Sequence, residues 1–404
     1  MDKIDRSQSP LSRRVQRIQP SPTMAIDARF KALRSQGVDV VSFGAGEPDY
    51  PAPDHVKEAA MAAIRDDFSH YTAVSGIIEL REAISRKLRR ENGLEYGPEH
   101  ILVTIGGKHA LFNSITALCD EGDQVLVPAP YWVSYPEQVR LAEGEPIFVP
   151  TDPEKGFRLQ AQDIEPFITS RTRVLLLNSP NNPSGAVYPE SDLAGIAELA
   201  RRHDLWVITD EIYERLVYDG QRHLSIAGFP GMAERTVVVN GLSKAYAMTG
   251  WRMGYSAAPV EVTQAMAALQ GHVTSNAASI VQAASVAALD GPQEPIEAMA
   301  ADYAQRRDLV MERLAALPGI TCRRPQGAFY VFASIRGLLG RRLYGQTLTD
   351  ADVLAELLLA EAKVAVVPGT GFGFPDHIRM SYATATTDLE RGFERIGAAL
   401  AHLE

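Results

Sequence analysis

Short, uniformly apolar runs recur through the first two thirds of the chain. ILVTI ends at Ile105, QVLVPA at Ala129, RVLLLN at Asn178, LWVITD at Asp210 and TVVVN at Asn240. None alternates apolar with polar, so each predicts a strand buried on both faces, as in a parallel sheet. Helical stretches such as 191–203 separate them. Strands alternating with helices predict an α/β unit with a largely parallel sheet, whose ligands sit at the strands' carboxyl ends. Before this unit, residues 26–36 carry helical periodicity, VDVVSF reads as a strand, 55–66 as a helix, and the stretch from Ile78 as an amphipathic helix with paired outer charges. After about Val260 the chain is mainly helical and alanine-rich. It then turns to strands in GAFYVFASI, KVAVVPG and HIRMSYA, with helices between and after them. This last part reads as a smaller α/β unit with antiparallel strands.

Composition narrows the picture. A chain of 404 residues, 46% hydrophobic, is long enough for two structural units. A formal charge of −10 argues against a general nucleic-acid surface, although an acidic protein can still hold a local basic pocket. Cys119 and Cys322 lack metal or redox spacing and read as buried free thiols in a reducing compartment. No apolar run is long enough to span a bilayer, and residues 1–22 lack the apolar core of a signal peptide. Asp2 and Asp5 weaken a transit-peptide reading, so a cytoplasmic protein is expected.

Chemistry gathers where the strands end. Lys244 follows TVVVNG directly, among small, apolar and aromatic neighbours. Burial there favours the free amine, the nucleophile of Schiff-base chemistry. Arg252, eight residues on, can present a fixed fork to a phosphate. Gly106 and Gly107 open a helix, where free N–H groups and the helix dipole favour a phosphate, and Lys108 places a cation where that dipole disfavours one. Trp132 stands after one strand and Asn182 in a rigid Asn/Pro turn after the next. Asp210 and Tyr213, three apart, follow the one after that. Each has an ordinary reading too: core tryptophan, loop lysine, surface arginine. Their coincidence at strand ends is what points to one site. Arg379 lies inside the apolar strand HIRMSYA and needs a partner. GxGxG at 369–373 follows a strand without opening a helix, so it is not a dinucleotide fingerprint.

The string SKAYAMTGWRMGY, with NSPNNPSG, GEPD, YTAVSG and RMSYA, resembles the fold-type I (class I) aminotransferases that use pyridoxal 5'-phosphate (PLP), along nearly the full chain. The nearest likeness is to the bacterial aspartate/prephenate branch. The resemblance implies an N-terminal arm (1–25), a small domain (26–50 with 300–404) and a large PLP-binding domain (51–299). It implies that Lys244 holds PLP and shuttles a proton, that Asp210 pairs with the pyridine nitrogen, and that Asn182 and Tyr213 bond the ring's 3-oxygen. Trp132 would stack on the ring. Gly107, Lys108, Arg252 and Tyr71 of a neighbouring subunit would hold the phosphate. Arg379 and Gly46, with Trp132 and Asn182 near by, would orient the substrate carboxylate. A homodimer with shared sites follows from the Tyr71 assignment. The resemblance also marks Ala129–Pro130 and Asn182–Pro183 as candidate cis bonds. No metal is implied.

Substrate choice rests on less. Lys108 and Thr23 match positions that help hold a distal carboxylate, though Lys108 could serve only the phosphate and Thr23 could cap the helix at Ile26. His109 replaces the usual glutamine, Gln19 stands where prephenate-active relatives carry a basic residue, and Ala277 stands where a proline is usual. The expected reaction is L-aspartate with 2-oxoglutarate by ping-pong transfer. Prephenate or another dicarboxylate is the alternative, and a PLP-dependent lyase on the same fold is the rival class. A PLP-binding regulator would need a DNA-binding segment that the short arm cannot hold.

Overall fold

The apolar runs become the centre of a seven-stranded sheet in the computed structural model, which describes residues 11–20 and 22–404. After a short strand β1 (Val41–Ser42), strands β2 (Ile101–Ile105), β3 (Gln124–Ala129), β4 (Glu145–Pro150), β5 (Thr172–Asn178), β6 (Trp206–Asp210), β7 (Thr236–Gly241) and β8 (Met253–Ala257) follow in chain order. The sheet runs β2-β8-β7-β6-β5-β3-β4. β8 is antiparallel to both neighbours and every other pair is parallel. The mostly parallel α/β class read from the sequence is what the chain adopts.

Side-chain alternation explains why these strands carry no polar face. Val125, Val127, Val174, Leu176 and Ile208 enter one buried cluster, with Leu111 and Ile115 of the helix Gly107–Leu118. Leu126, Leu175, Leu177 and Val207 enter another, with Leu193 and Ile196 of the helix Glu190–Arg202. Neighbours on a strand face opposite sides, and helices cover both.

The later part builds a second sheet. Strands β9 (Tyr330–Ser334), the hairpin β10 (Arg342–Leu343) and β11 (Gln346–Thr347), β12 (Val364–Ala365), β13 (Val367–Pro368) and β14 (His377–Ser381) complete the set. β13-β14-β9 is antiparallel, while β1 pairs parallel with β12. The strand read over VDVVSF thus shrinks to two residues, because after Phe43 the Gly- and Pro-rich loop turns away toward the large sheet. The helix expected over 26–36 runs Pro22–Ser35, opening on a proline whose fixed φ suits a first turn. Cys119 is buried as expected, but Cys322 is only half-buried. It follows the isolated bridge Thr321↔Ser334, outside the sheet proper.

One glycine matters for the site. A Cβ at Gly254 would lie 2.4 Å from Gly106 C and Gly107 N, so β8 packs its backbone against the turn leaving β2. Gly254→Ala is expected to destabilise the chain by about 1–3 kcal/mol, the usual effect of overpacking. Denaturant unfolding checks this. A midpoint equal to that of the unsubstituted chain would mean that the turn has room to shift.

Candidate active site

The parallel arrangement brings the ends of β2, β3, β5, β6 and β7 to one edge of the large sheet. Because β8 runs the other way, Arg252, just before it, arrives at the same edge. A cavity of about 390 Å³ opens there, and the loop 44–47, Tyr330 of β9 and Arg379 of β14 close its far side. Lys244, Asp210, Tyr213, Asn182, Trp132, Lys108, Gly107, Arg252, Gly46 and Arg379 all line it. Sequence reasoning therefore gathered residues spread over more than three hundred positions into one place.

Lys244 stands in the turn after β7, half-buried. Its Nζ donates to the Gly46 carbonyl and lies 6.0 Å from the Tyr213 ring centre and 5.9 Å from that of Phe329. Burial lowers its pKa to about 8, and Arg379 and Arg252 push the same way. Glu47 and Asp210 oppose them. Glu47 in turn accepts from Thr249 Oγ1 at 2.7 Å, tying the loop to the lysine segment.

Asp210 is buried at the end of β6. Its Oδ2 accepts from Tyr135 Oη at 2.8 Å and its Oδ1 from Ile212 N at 3.2 Å. Burial outweighs these bonds and raises its pKa to about 6. Asn178, its register partner on β5, donates to the Asp210 carbonyl at 2.9 Å and accepts from Asn182 N at 2.8 Å. The peptide bonds before Pro130 and Pro183 are cis, as expected, and so is Ser179–Pro180, which the sequence did not flag. Tyr213 Oη shares a 3.0 Å hydrogen bond with Tyr330 Oη, and burial raises its pKa well above the ordinary phenol value.

Three further cations face this cavity and, like Lys244, have no carboxylate partner among the described residues. Arg252 donates to the carbonyls of Thr249 (2.8 Å) and Ile105 (3.5 Å) and lies over Gly106, where a Cβ would sit 2.5 Å from Nη2. Lys108 Nζ lies 4.8 Å from the centre of the Trp132 ring, and burial, then Arg252, lower its pKa. Arg379 is 3% exposed. It donates to Asn182 Oδ1 (3.2 Å) and the Gly44 carbonyl (3.0 Å), while its Nε finds no acceptor. The rings of Tyr330 and Phe372 flank it at 4.5 and 5.2 Å.

One expected residue stands apart. Tyr71 is 90% exposed and does not reach this chain's own cavity. The Thr23 side chain lies outside the described residues. The sequence reading missed Tyr135, Asn178, Glu47 and Tyr330. Asn178 and Glu47 sit inside the motifs NSPNNP and GEPD and were within reach. Tyr330 has no local marker, and Tyr135 has only its place in YWVSYP.

The model of the family "Aminotransferase class I and II" matches residues 38–396. The chain belongs to this family. Among these aminotransferases, the aspartate aminotransferase of Geobacillus stearothermophilus is 44% identical over 96% of this chain and 98% of its own length. The aspartate/prephenate aminotransferase of Cereibacter sphaeroides is 45% identical over 97% and 99%. The crystal structure of the Rhizobium meliloti aspartate aminotransferase superposes with a TM-score of 0.95 at 45% identity, covering 98% of this chain and 100% of that one. That of Thermus thermophilus with maleate gives 0.92 at 46%, covering 97% and 100%. The protein is an aminotransferase, and pyridoxal 5'-phosphate is its cofactor.

Proposed function

We propose that this aminotransferase moves the amino group of L-aspartate to 2-oxoglutarate, giving oxaloacetate and L-glutamate in two half-reactions. One observation carries the substrate reading: the cavity holds a buried arginine fork and, separately, a lysine, neither with a carboxylate of its own among the described residues. A dicarboxylic amino acid supplies one anion to each. The names of the relatives support the same reading.

The residues suit the cofactor. Arg252, lacking a carboxylate, faces the glycine turn at the start of the helix Gly107–Leu118, and the two form a cradle for a phosphate. Gly107 and the Lys108 backbone offer N–H groups there. Asp210, fixed by Tyr135 and Ile212, is placed to accept from a protonated ring nitrogen. A pyridinium there stabilises the ionised carboxylate against the burial that otherwise raises its pKa. Tyr213 and Asn182 would hold the ring oxygen, and Trp132 would stack on the ring. When bound, the cofactor supplies an electron sink for the substrate's Cα. Lys244, with its lowered pKa, presents a neutral amine near neutral pH more readily than an ordinary lysine. In that role it would take up and return the proton at the substrate's Cα. Arg379 grips the α-carboxylate beside the bare backbone of Gly46, and Lys108 receives the distal one.

Tyr71, almost fully exposed, serves the cavity of a second copy in a two-fold dimer. Residues 26–50 with 300–404 form the small domain, which the β1–β12 pairing supports, 51–299 form the large one, and 1–25 are an arm. No described helix is long and apolar enough to cross a membrane, and we place the enzyme in the cytoplasm. Prephenate is the second reading, favoured by the Cereibacter sphaeroides relative.

A half-reaction tests this. Excess L-aspartate without an oxoacid is expected to remove the visible band of the bound cofactor and to release stoichiometric oxaloacetate. Pyruvate or ammonia instead would mean a lyase. A band that survives aspartate overturns the substrate reading, and no band after PLP is added overturns the assignment of Lys244.

A further inference from the structure

His109 is the departure in the helix-opening segment that the functional reading leaves unused. Between the end of β2 and the helix Gly107–Leu118 stands a single residue, Gly106, at φ +79°. The turn is closed by Gly106 N to the Thr104 carbonyl (2.9 Å), Thr104 Oγ1 to the Gly106 carbonyl (3.1 Å) and His109 N to the same carbonyl (3.0 Å). A fourth bond comes from a side chain: Ile105 N donates to His109 Nδ1 at 3.3 Å. β2 is an edge strand, so the helix that follows it supplies a partner from outside the ladder. The Ile105 carbonyl accepts from Arg252 Nη2, and Ile105 pairs in register with Met253, the residue after Arg252. The imidazole therefore bonds one group of Ile105 while the guanidinium bonds another.

We propose that His109 is a positioning residue for the phosphate cradle: its imidazole accepts the Ile105 N–H and so fixes the turn against which Arg252 and the Gly107 N–H are aimed. Accepting at Nδ1 places the ring's proton on Nε2, which is buried and has no acceptor among the described residues. Burial lowers the imidazole pKa and so favours this neutral form. Glutamine, with a carbonyl at the end of its side chain, can make the same bond, whereas an alkyl side chain cannot.

The inference rests on the proposed phosphate role of Arg252 and Gly107, and the test separates the two. The cofactor-free chain is titrated with PLP and, in parallel, with pyridoxal, which lacks the phosphate. His109→Leu is expected to weaken PLP roughly tenfold, about the worth of one lost hydrogen bond, and to leave pyridoxal unchanged. His109→Gln is expected to stay within about twofold of the parent chain for both. His109→Ala is the second variant should the leucine chain not fold, and denaturant unfolding of each cofactor-free variant checks its integrity. Equal weakening of PLP and pyridoxal, no weakening of PLP, or a glutamine variant as weak as the leucine one overturns the proposal. Arg252→Ala is the control on the parent reading. If it too binds PLP like the unsubstituted chain, the phosphate cradle is wrong, and the role of His109 falls with it.

Discussion

Lys244→Ala is expected to lower turnover by at least about four orders of magnitude, the upper range for loss of a positioned acid–base group, because the same amine is also proposed to anchor the cofactor. Binding of PLP through its phosphate should persist in weakened form, while the visible band of the covalent complex disappears. A variant that kept the band would place the anchoring amine elsewhere. The cofactor-free chain offers a second readout. Burial lowers the Lys244 pKa from 10.5 to about 8 in the folded chain. Between those values the unfolded chain binds more protons at this site than the folded one, so the lysine makes stability rise with pH across that window. Below about 8 the ammonium is charged in both states and its burial penalty is felt in full. The alanine variant should therefore gain stability relative to the parent near neutral pH, and that gain should shrink as pH climbs toward 10. Denaturant midpoints over pH 7–10 measure it. A difference that does not change with pH would mean that the amine is not desolvated.

Arg379→Leu is the second large effect. The guanidinium makes two hydrogen bonds to the protein, to Asn182 and Gly44, and none to a carboxylate among the described residues. Its free capacity faces the cavity. Removing one partner of a buried, hydrogen-bonded charge pair costs about 2–5 kcal/mol, so kcat/KM for L-aspartate should fall roughly 30- to 5,000-fold. Arg379→Lys should not restore it, because a lysine cannot bond Asn182, Gly44 and a bidentate carboxylate at once, nor lie flat between the Tyr330 and Phe372 rings. The visible band of the bound cofactor should be unchanged in both variants. Loss of that band would mean that Arg379 acts on the cofactor pocket, against the role proposed for it.

How far the sequence could be read depended on whether a signal was local. β3, β5, β6 and β7 announce themselves because burial on both faces keeps their middles almost wholly apolar. Lys244, Asp210 and Asn182 each sit within a few residues of a strand's end, and Arg252 lies eight residues past Lys244, so they could be placed together without knowing the order of the strands. That order, with β2 at an edge beside an antiparallel β8, depends on packing between distant elements and leaves no local trace. The supporting partners escaped for the same reason. Tyr135 meets Asp210 across 75 residues and Tyr330 meets Tyr213 across 117, each through one hydroxyl that a core tyrosine need not display in its sequence. Composition likewise did not foretell that Cys322 would be only half-buried. Motif recognition carried further for Trp132 than for its neighbours: its place at a strand end was visible, its contact with Lys108 was not.

The pairing of β1 with β12 has a consequence for how this chain is made. Val41 and Ser42 leave the ribosome early, but their partners Val364 and Ala365 are more than three hundred residues behind. At about 5–20 residues per second that gap lasts from roughly a quarter of a minute to a full minute. Throughout it Val41 and Phe43, each at most 2% exposed in the finished protein, have no sheet to enter. The large sheet, whose strands all lie between residues 101 and 257, can be complete by then. The loop 44–47, which closes the cavity, is thus fixed among the last parts of the molecule. The nascent enzyme possesses Lys244, Asp210 and the glycine turn at Gly106 before it possesses Arg379 or a closed site.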